Sequence, residues 1–123
     1  MAYFALIKDN IVLTVVVVED SVLIEDGVEV EQLGVDFINS LRNIKIIWDY
    51  DIIKQTYQNT NFRNKFAGIG DTWDETNNVF ISPKPFEDWT LNNNFQWVAP
   101  KAYPNDGDNY VWKDGDWVLF STL

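Results

Sequence analysis

Tyr3-Phe4-Ala5-Leu6-Ile7, then Lys8-Asp9-Asn10, then Ile11-Val12-Leu13-Thr14-Val15-Val16-Val17-Val18 open the chain as strand, turn and strand. Both apolar runs are rich in aromatic or β-branched residues, which suit a pleated, half-buried surface. Asp and Asn between them tolerate the left-handed backbone of a tight turn, so residues 3–18 predict an N-terminal hairpin. The second run is continuously apolar, which predicts a strand buried on both faces. A long apolar edge invites aggregation, so residues 15–18 are expected to lie centrally, with a strand or another chain on each side.

Downstream, Val22-Leu23-Ile24 reads as a short strand or a connection, and Glu25-Asp26-Gly27 as a turn. Val30, Leu33, Phe37, Ile38 and Leu41 fall at helical spacing. Glu29 and Glu31 suit a helix N-terminus and Arg42 a C-terminus. A helix over residues 30–41, packed on the hairpin, is predicted, although Gly34 costs about 1 kcal/mol against Ala. Lys45-Ile46-Ile47-Trp48 and Ile52-Ile53-Lys54-Gln55-Thr56-Tyr57 read as strands around a turn at Asp49-Tyr50-Asp51. Gln58-Asn59-Thr60-Asn61 is a polar loop. In Phe62-Arg63-Asn64-Lys65-Phe66-Ala67-Gly68-Ile69-Gly70 basic residues alternate with apolar ones, as on a half-exposed strand.

The C-terminal half repeats one phrase in three spellings: Trp73-Asp74-Glu75-Thr76-Asn77-Asn78-Val79-Phe80-Ile81, Trp89-Thr90-Leu91-Asn92-Asn93-Asn94-Phe95-Gln96-Trp97-Val98, and Tyr110-Val111-Trp112-Lys113-Asp114-Gly115-Asp116-Trp117-Val118-Leu119. Each is an aromatic strand end, an Asn/Asp/Gly turn and a second strand, the pattern of a hairpin. Pro83-Lys84-Pro85 and Ala99-Pro100-Lys101-Ala102-Tyr103-Pro104 separate them and favour extended connections. Their spacing is too irregular for a solenoid. The fold class is therefore α+β, mostly β: a compact unit over residues 1–57 and an aromatic hairpin arm over residues 62–123.

Composition narrows the chemistry. The chain has 123 residues, 46% of them hydrophobic, which is enough for a real core. It has no Cys and no His, which removes disulfides, thiol catalysis, imidazole acid–base work and ordinary zinc sites. A formal net charge of −10 opposes binding to nucleic-acid phosphates and favours solubility or a basic protein partner. No stretch reads as a targeting segment, and the run over residues 11–18 is too short to span a bilayer.

Three constellations could carry chemistry. Gly68-Ile69-Gly70-Asp71 lacks the third Gly and the following helix of a dinucleotide loop, and reads as a bend or bulge. Asp71, Asp74 and Glu75, and Asp106, Asp108, Asp114 and Asp116, lack the spacing of a calcium loop and read as turn chemistry with solvated charge. Six Trp within a 15% aromatic share either pack the core or form flat platforms for a protein or a sugar ring. No catalytic residue, metal ligand or cofactor site is predicted.

Residues 62–104 resemble a module in small proteins of tailed phages, especially marine cyanophages. The carried phrases are Arg63-Asn64-Lys65-Phe66-Ala67-Gly68-Ile69-Gly70, Trp73-Asp74, Val79-Phe80-Ile81-Ser82-Pro83-Lys84-Pro85-Phe86, Trp89-Thr90-Leu91-Asn92, Trp97-Val98-Ala99-Pro100 and Tyr103-Pro104. Asp71 stands where an aromatic is usual in that module, and Phe86-Glu87-Asp88-Trp89 replaces a more Pro-rich approach. The resemblance implies a structural protein of a virion, made in a host cytoplasm. It would be bound in several copies to capsid, neck or tail proteins, with no nucleic-acid or membrane partner. A tail- or fibre-attached glycan-binding module and an assembly chaperone are the alternatives. Interfaces concentrate their energy in Trp, Tyr and Arg, so Trp89, Trp97, Trp112 and Trp117 are the expected anchors, with Arg63 as the basic contact.

Overall fold

A computed structural model describes residues 1–123 and shows an α+β, mostly β fold. Elements run β1 (Ala2–Lys8), β2 (Ile11–Val18), α1 (Asp20–Leu23), β3 (Ile24–Glu25), β4 (Val28–Glu29), α2 (Glu31–Asn39), α3 (Arg42–Trp48), β5 (Ile52–Thr56), β6 (Thr72–Asp74) and β7 (Val79–Ile81). Then follow β8 (Thr90–Leu91), β9 (Trp97–Val98), β10 (Tyr110–Lys113), β11 (Asp116–Leu119) and a 3-10 turn at Phe120–Thr122. No helix is long and apolar enough to cross a membrane. The chain divides into Met1–Pro83 and Lys84–Leu123, so the boundary lies well beyond the one expected at residues 57–62. The first aromatic phrase thus belongs to the N-terminal unit, because β6 and β7 join its sheet.

That sheet has the order β5-β1-β2-β6-β7. The N-terminal hairpin forms around Asp9 (φ 51) and Asn10 (φ 65), the two residues chosen for that backbone. β1, rather than β2, is the strand buried on both faces: β5 and β2 pair with its two edges, and its alternate side chains enter two separate cores. Phe4 and Leu6 point into one core with Leu23, Ile38 and Ile53. Ala5 and Ile7 point into the other, with Val12, Ala67, Trp73 and Phe80. β2 departs from expectation: β6 meets it only at Ile11, and residues 13–18 have β1 on one side and no strand on the other. Val17 is 50% exposed.

The helix expected over residues 30–41 forms as α2, and Gly34 has a reason to be there. A Cβ at Gly34 would lie 2.2 Å from Phe4 Cζ, in a ring with no exposed surface. Close approach of helix to sheet outweighs the lost helix propensity. Gly34→Ala is expected to lower stability by about 1–3 kcal/mol through overpacking, even though Ala is the better helix former. A urea midpoint equal to wild type would show that the ring can swing aside.

Two strand expectations are overturned. Residues 45–48 belong to α3: Ile44 and Trp48, four apart, pack on the core, while Ile46 and Ile47 are 78% and 67% exposed. Adjacent Ile residues have β propensity, but the helical pair reaches the core. Asp49 ends α3 in the left-handed region, with its N–H on the Lys45 carbonyl at 2.9 Å. Of residues 22–24, read as a short strand or a connection, Val22 and Leu23 lie in the short α1 and Ile24 begins β3. Residues 62–70 form turns, not a strand, because Arg63 (φ 52) and Asn64 (φ 76) are both left-handed. Side chains hold this segment: Asn64 Nδ2 donates to the Phe80 carbonyl at 2.8 Å, and the Ala67 N–H donates to Thr56 Oγ1 at 2.8 Å. Gly68-Ile69-Gly70-Asp71 is a bend, in which the buried Asp71 carboxylate accepts the Gly68 N–H at 2.7 Å and pairs with Lys65 at 2.8 Å.

Candidate functional site

Lys84–Leu123 gathers three of the four expected Trp anchors into one cluster. Asp114 (φ 51) and Gly115 (φ 82) make a two-residue turn, which sets Trp112 directly opposite Trp117. With such a turn this second pair is the one that exchanges no backbone hydrogen bonds, where side chains come closest. The two rings meet edge-to-face at 5.1 Å and 77°. Trp89, just before β8, lies 5.9 Å from both of them and 5.4 Å from Phe86. Tyr103 packs on Trp117 at 5.0 Å and on Tyr110 at 5.8 Å. Such aromatic pairs contribute about 0.5–1.5 kcal/mol each beyond their buried area.

Polar groups hold the rings in place. Trp112 Nε1 donates to Asp88 Oδ1 at 3.0 Å, and Trp117 Nε1 donates to the Lys101 carbonyl at 2.8 Å. The Tyr110 hydroxyl donates to Asp106 Oδ2 at 2.6 Å and the Tyr110 N–H donates to the Tyr103 hydroxyl at 2.9 Å. The Asp106 hydrogen bond pushes the Tyr110 phenol up to about 12, and that bond in turn holds Asp106 below the usual carboxylate range. Trp89 Nε1 is buried with no hydrogen-bond partner.

Trp97 stands on β9, half-buried, with the Lys84 ammonium 5.9 Å over its ring. The β8–β9 turn is built on Asn92, whose Oδ1 accepts the N–H groups of Asn94 and Gln96 at 2.9 and 3.0 Å. Its left-handed residue is Phe95 (φ 59) rather than an Asn. Tyr103, Tyr110, Phe86 and Asp88 were not singled out from the sequence. Tyr103 stands directly before Pro104 in a segment read as a Pro-rich separator.

Arg63 belongs to the N-terminal unit and is not a free basic contact there. Its side chain is 9% exposed and grips Glu31 with two bonds, Nη1 to Oε2 at 2.7 Å and Nη2 to Oε1 at 3.1 Å. Nη1 also reaches the Gln55 carbonyl at 2.8 Å. Burial raises the Glu31 carboxyl, but the Arg63 and Gln55 hydrogen bonds and the charges of Arg63 and Lys54 outweigh it, so its pKa is lowered. Glu29 accepts Gln55 Nε2 at 2.8 Å and the Tyr57 hydroxyl. Burial first, then that bond and the charges of Glu29 and Glu31, push Tyr57 up to about 12. This cluster ties α2, β5 and residues 62–70 together.

Within Lys84–Leu123, Gly107, Asp108, Asn109, Leu119, Phe120 and Ser121 line a half-open cleft of about 200 Å³. Ligand pockets usually span roughly 300–1,000 Å³. No group of three His, Cys, Asp or Glu side chains is placed to hold a metal ion. Compared with models of protein families, with curated proteins and with solved structures, the chain finds no match.

Proposed function

We propose that this chain is a non-enzymatic docking protein that binds another protein through the aromatic cluster of Lys84–Leu123. The observation that supports this best is the imbalance of that unit. It carries four Trp, yet the only buried side chain in it is Trp112. Trp89, Trp97 and Trp117 are half-covered, and Phe86, Leu91, Val98, Tyr103 and Phe120 are exposed. Small hairpins are marginal in water without a larger apolar surface to bury. A partner protein would supply that surface. The ring faces pack edge-to-face on one another, so fewer remain for stacking on a sugar, which favours protein docking over a glycan module. The surrounding Asp88, Asp106, Asp114 and Asp116 suit a basic rim on the partner.

The setting we propose is a tailed-phage virion, as capsid decoration or a head–tail accessory, on the resemblance of residues 62–104 to small phage proteins. Trp89→Ala and Trp117→Ala, in a tagged chain expressed during infection, are each expected to cost about 2 kcal/mol or more of binding. The tag would then be lost from purified particles, with the N-terminal unit's thermal transition unchanged. Full incorporation of a chain lacking Trp89, Trp97 and Trp117 together would sink the docking model. Presence in infected cells but not in finished particles would point to an assembly chaperone.

A further inference from the structure

We propose that the open edge of β2 is a self-association surface, on which two copies of this chain pair antiparallel through residues 13–18 and join their sheets across a twofold axis at Val16. This goes beyond the docking role of the C-terminal unit and involves different residues. Backbone chemistry specifies the occupant. Lys8 and Ile11 close a two-residue turn, so hydrogen-bonded and non-bonded pairs alternate from there. Val12, opposite Ile7, turns outward: its N–H donates to the Asp71 carbonyl and its C=O accepts the Gly70 N–H, both at 2.9 Å. After the irregularity between Leu6 and Ile7, the alternation leaves the N–H and C=O of Val15 and Val17, opposite Ala5 and Tyr3, facing away from β1. The Ile7 carbonyl agrees, since it accepts the Asp51 N–H on the β5 side. A row of outward donors and acceptors is matched best by another extended backbone.

A second copy fits this edge on three grounds. The window is bounded by residues 70–72 at one end and by α1 at the other, so an antiparallel copy of the same window fills it. Pairing centred on Val16 sets Val17 of each copy opposite Val15 of the other, a cross-strand β-branched pair. The charges are also placed for it. No Lys, Pro or acid guards residues 13–18, which are the usual protections of an edge. Asp20 is already paired with the Met1 ammonium at 2.7 Å. In the antiparallel register Glu19 aligns with Leu13 of the other copy. The two Glu19 side chains are then about 20 Å apart at the rise of a strand, beyond the ~8 Å screening length of physiological salt. Parallel pairing would set them side by side.

Sedimentation of the full chain over a dilution series tests this, with amide exchange read at Val15 and Val17. A concentration-dependent dimer is expected, with exchange at these two amides slowed as dimer forms. Val17→Lys adds the missing edge charge at a half-exposed site and is expected to raise the dimer dissociation constant roughly thirtyfold or more. Val17→Pro removes an N–H that the fold does not use, and circular dichroism of both variants checks that they fold. A wild-type chain that stays monomeric to millimolar concentration overturns the proposal. So does a dimer in which Val15 and Val17 exchange as fast as in the monomer, or one that survives unchanged in folded Val17→Lys.

Discussion

Trp73→Ala is expected to cost about 3–5 kcal/mol, the range for deleting a large buried aromatic. Trp73 is 2% exposed and forms the middle of the second core with Phe80, whose ring lies 4.8 Å away. Its other surroundings are ordered through it. The Lys54 ammonium and the Arg63 guanidinium sit 5.6 and 5.4 Å over its ring, and its indole N–H donates to Glu75. Truncation therefore opens a cavity and also loosens the turns over residues 62–70. Urea unfolding at neutral pH measures the loss. Trp73→Phe keeps most of the apolar volume and should recover more than half of it. A cost under ~1 kcal/mol for the Ala variant would mean that β6 and β7 do not close this core.

Arg63→Met is expected to cost about 3 kcal/mol at neutral pH, because removing one partner of a buried pair leaves an uncompensated charge. The remaining charge is Glu31, which is 32% exposed and so partly relieved by water. The pH dependence carries a definite sign. In the wild type the Glu31 carboxyl lies below its unfolded value, near 4.3. Its contribution is therefore present above that value and lost as pH falls through the folded one. In Arg63→Met the burial that already opposes the charge acts without Arg63, so acid protonates Glu31 and relieves the variant. The stability gap should be wide at neutral pH and narrow in mild acid. Glu31→Gln in the Arg63→Met background should recover part of the loss, and the double-mutant cycle gives the coupling. A gap that does not change with pH would mean that Glu31 is not the charge Arg63 neutralises.

The aromatic phrases show how far local reading reaches. All three hairpins form where their turn residues stand, and Asp114-Gly115 adopts the left-handed backbone its chemistry invites. Yet Trp73 and Trp117, each on a strand of an aromatic hairpin phrase, end in opposite circumstances. β6 pairs with β2 at Ile11 and carries Trp73 into a core, whereas β11 has only β10 and leaves Trp117 half-covered. The candidate site was legible to the same extent. Trp89, Trp112 and Trp117 were visible as aromatics beside turns, but not their convergence with Tyr103 and Tyr110.

Turns and hairpins follow from the residues alone, because a turn is set by the φ preferences of the two to four residues that make it. Asp9-Asn10, Asp26-Gly27 and Asp114-Gly115 all take positive φ at both positions. The helical spacing of Leu33, Phe37 and Ile38 likewise marks α2 from sequence alone, although Leu41, at the same spacing, lies beyond its end. Burial is not set within such a window. Arg63 meets Glu31 across thirty-two positions, and Gly34 is required by the ring of Phe4. Residues 45–48 are helical because Ile44 and Trp48 can then reach the core. Each of these outcomes depends on groups distant in the chain, brought together only after the hairpins and helices have packed.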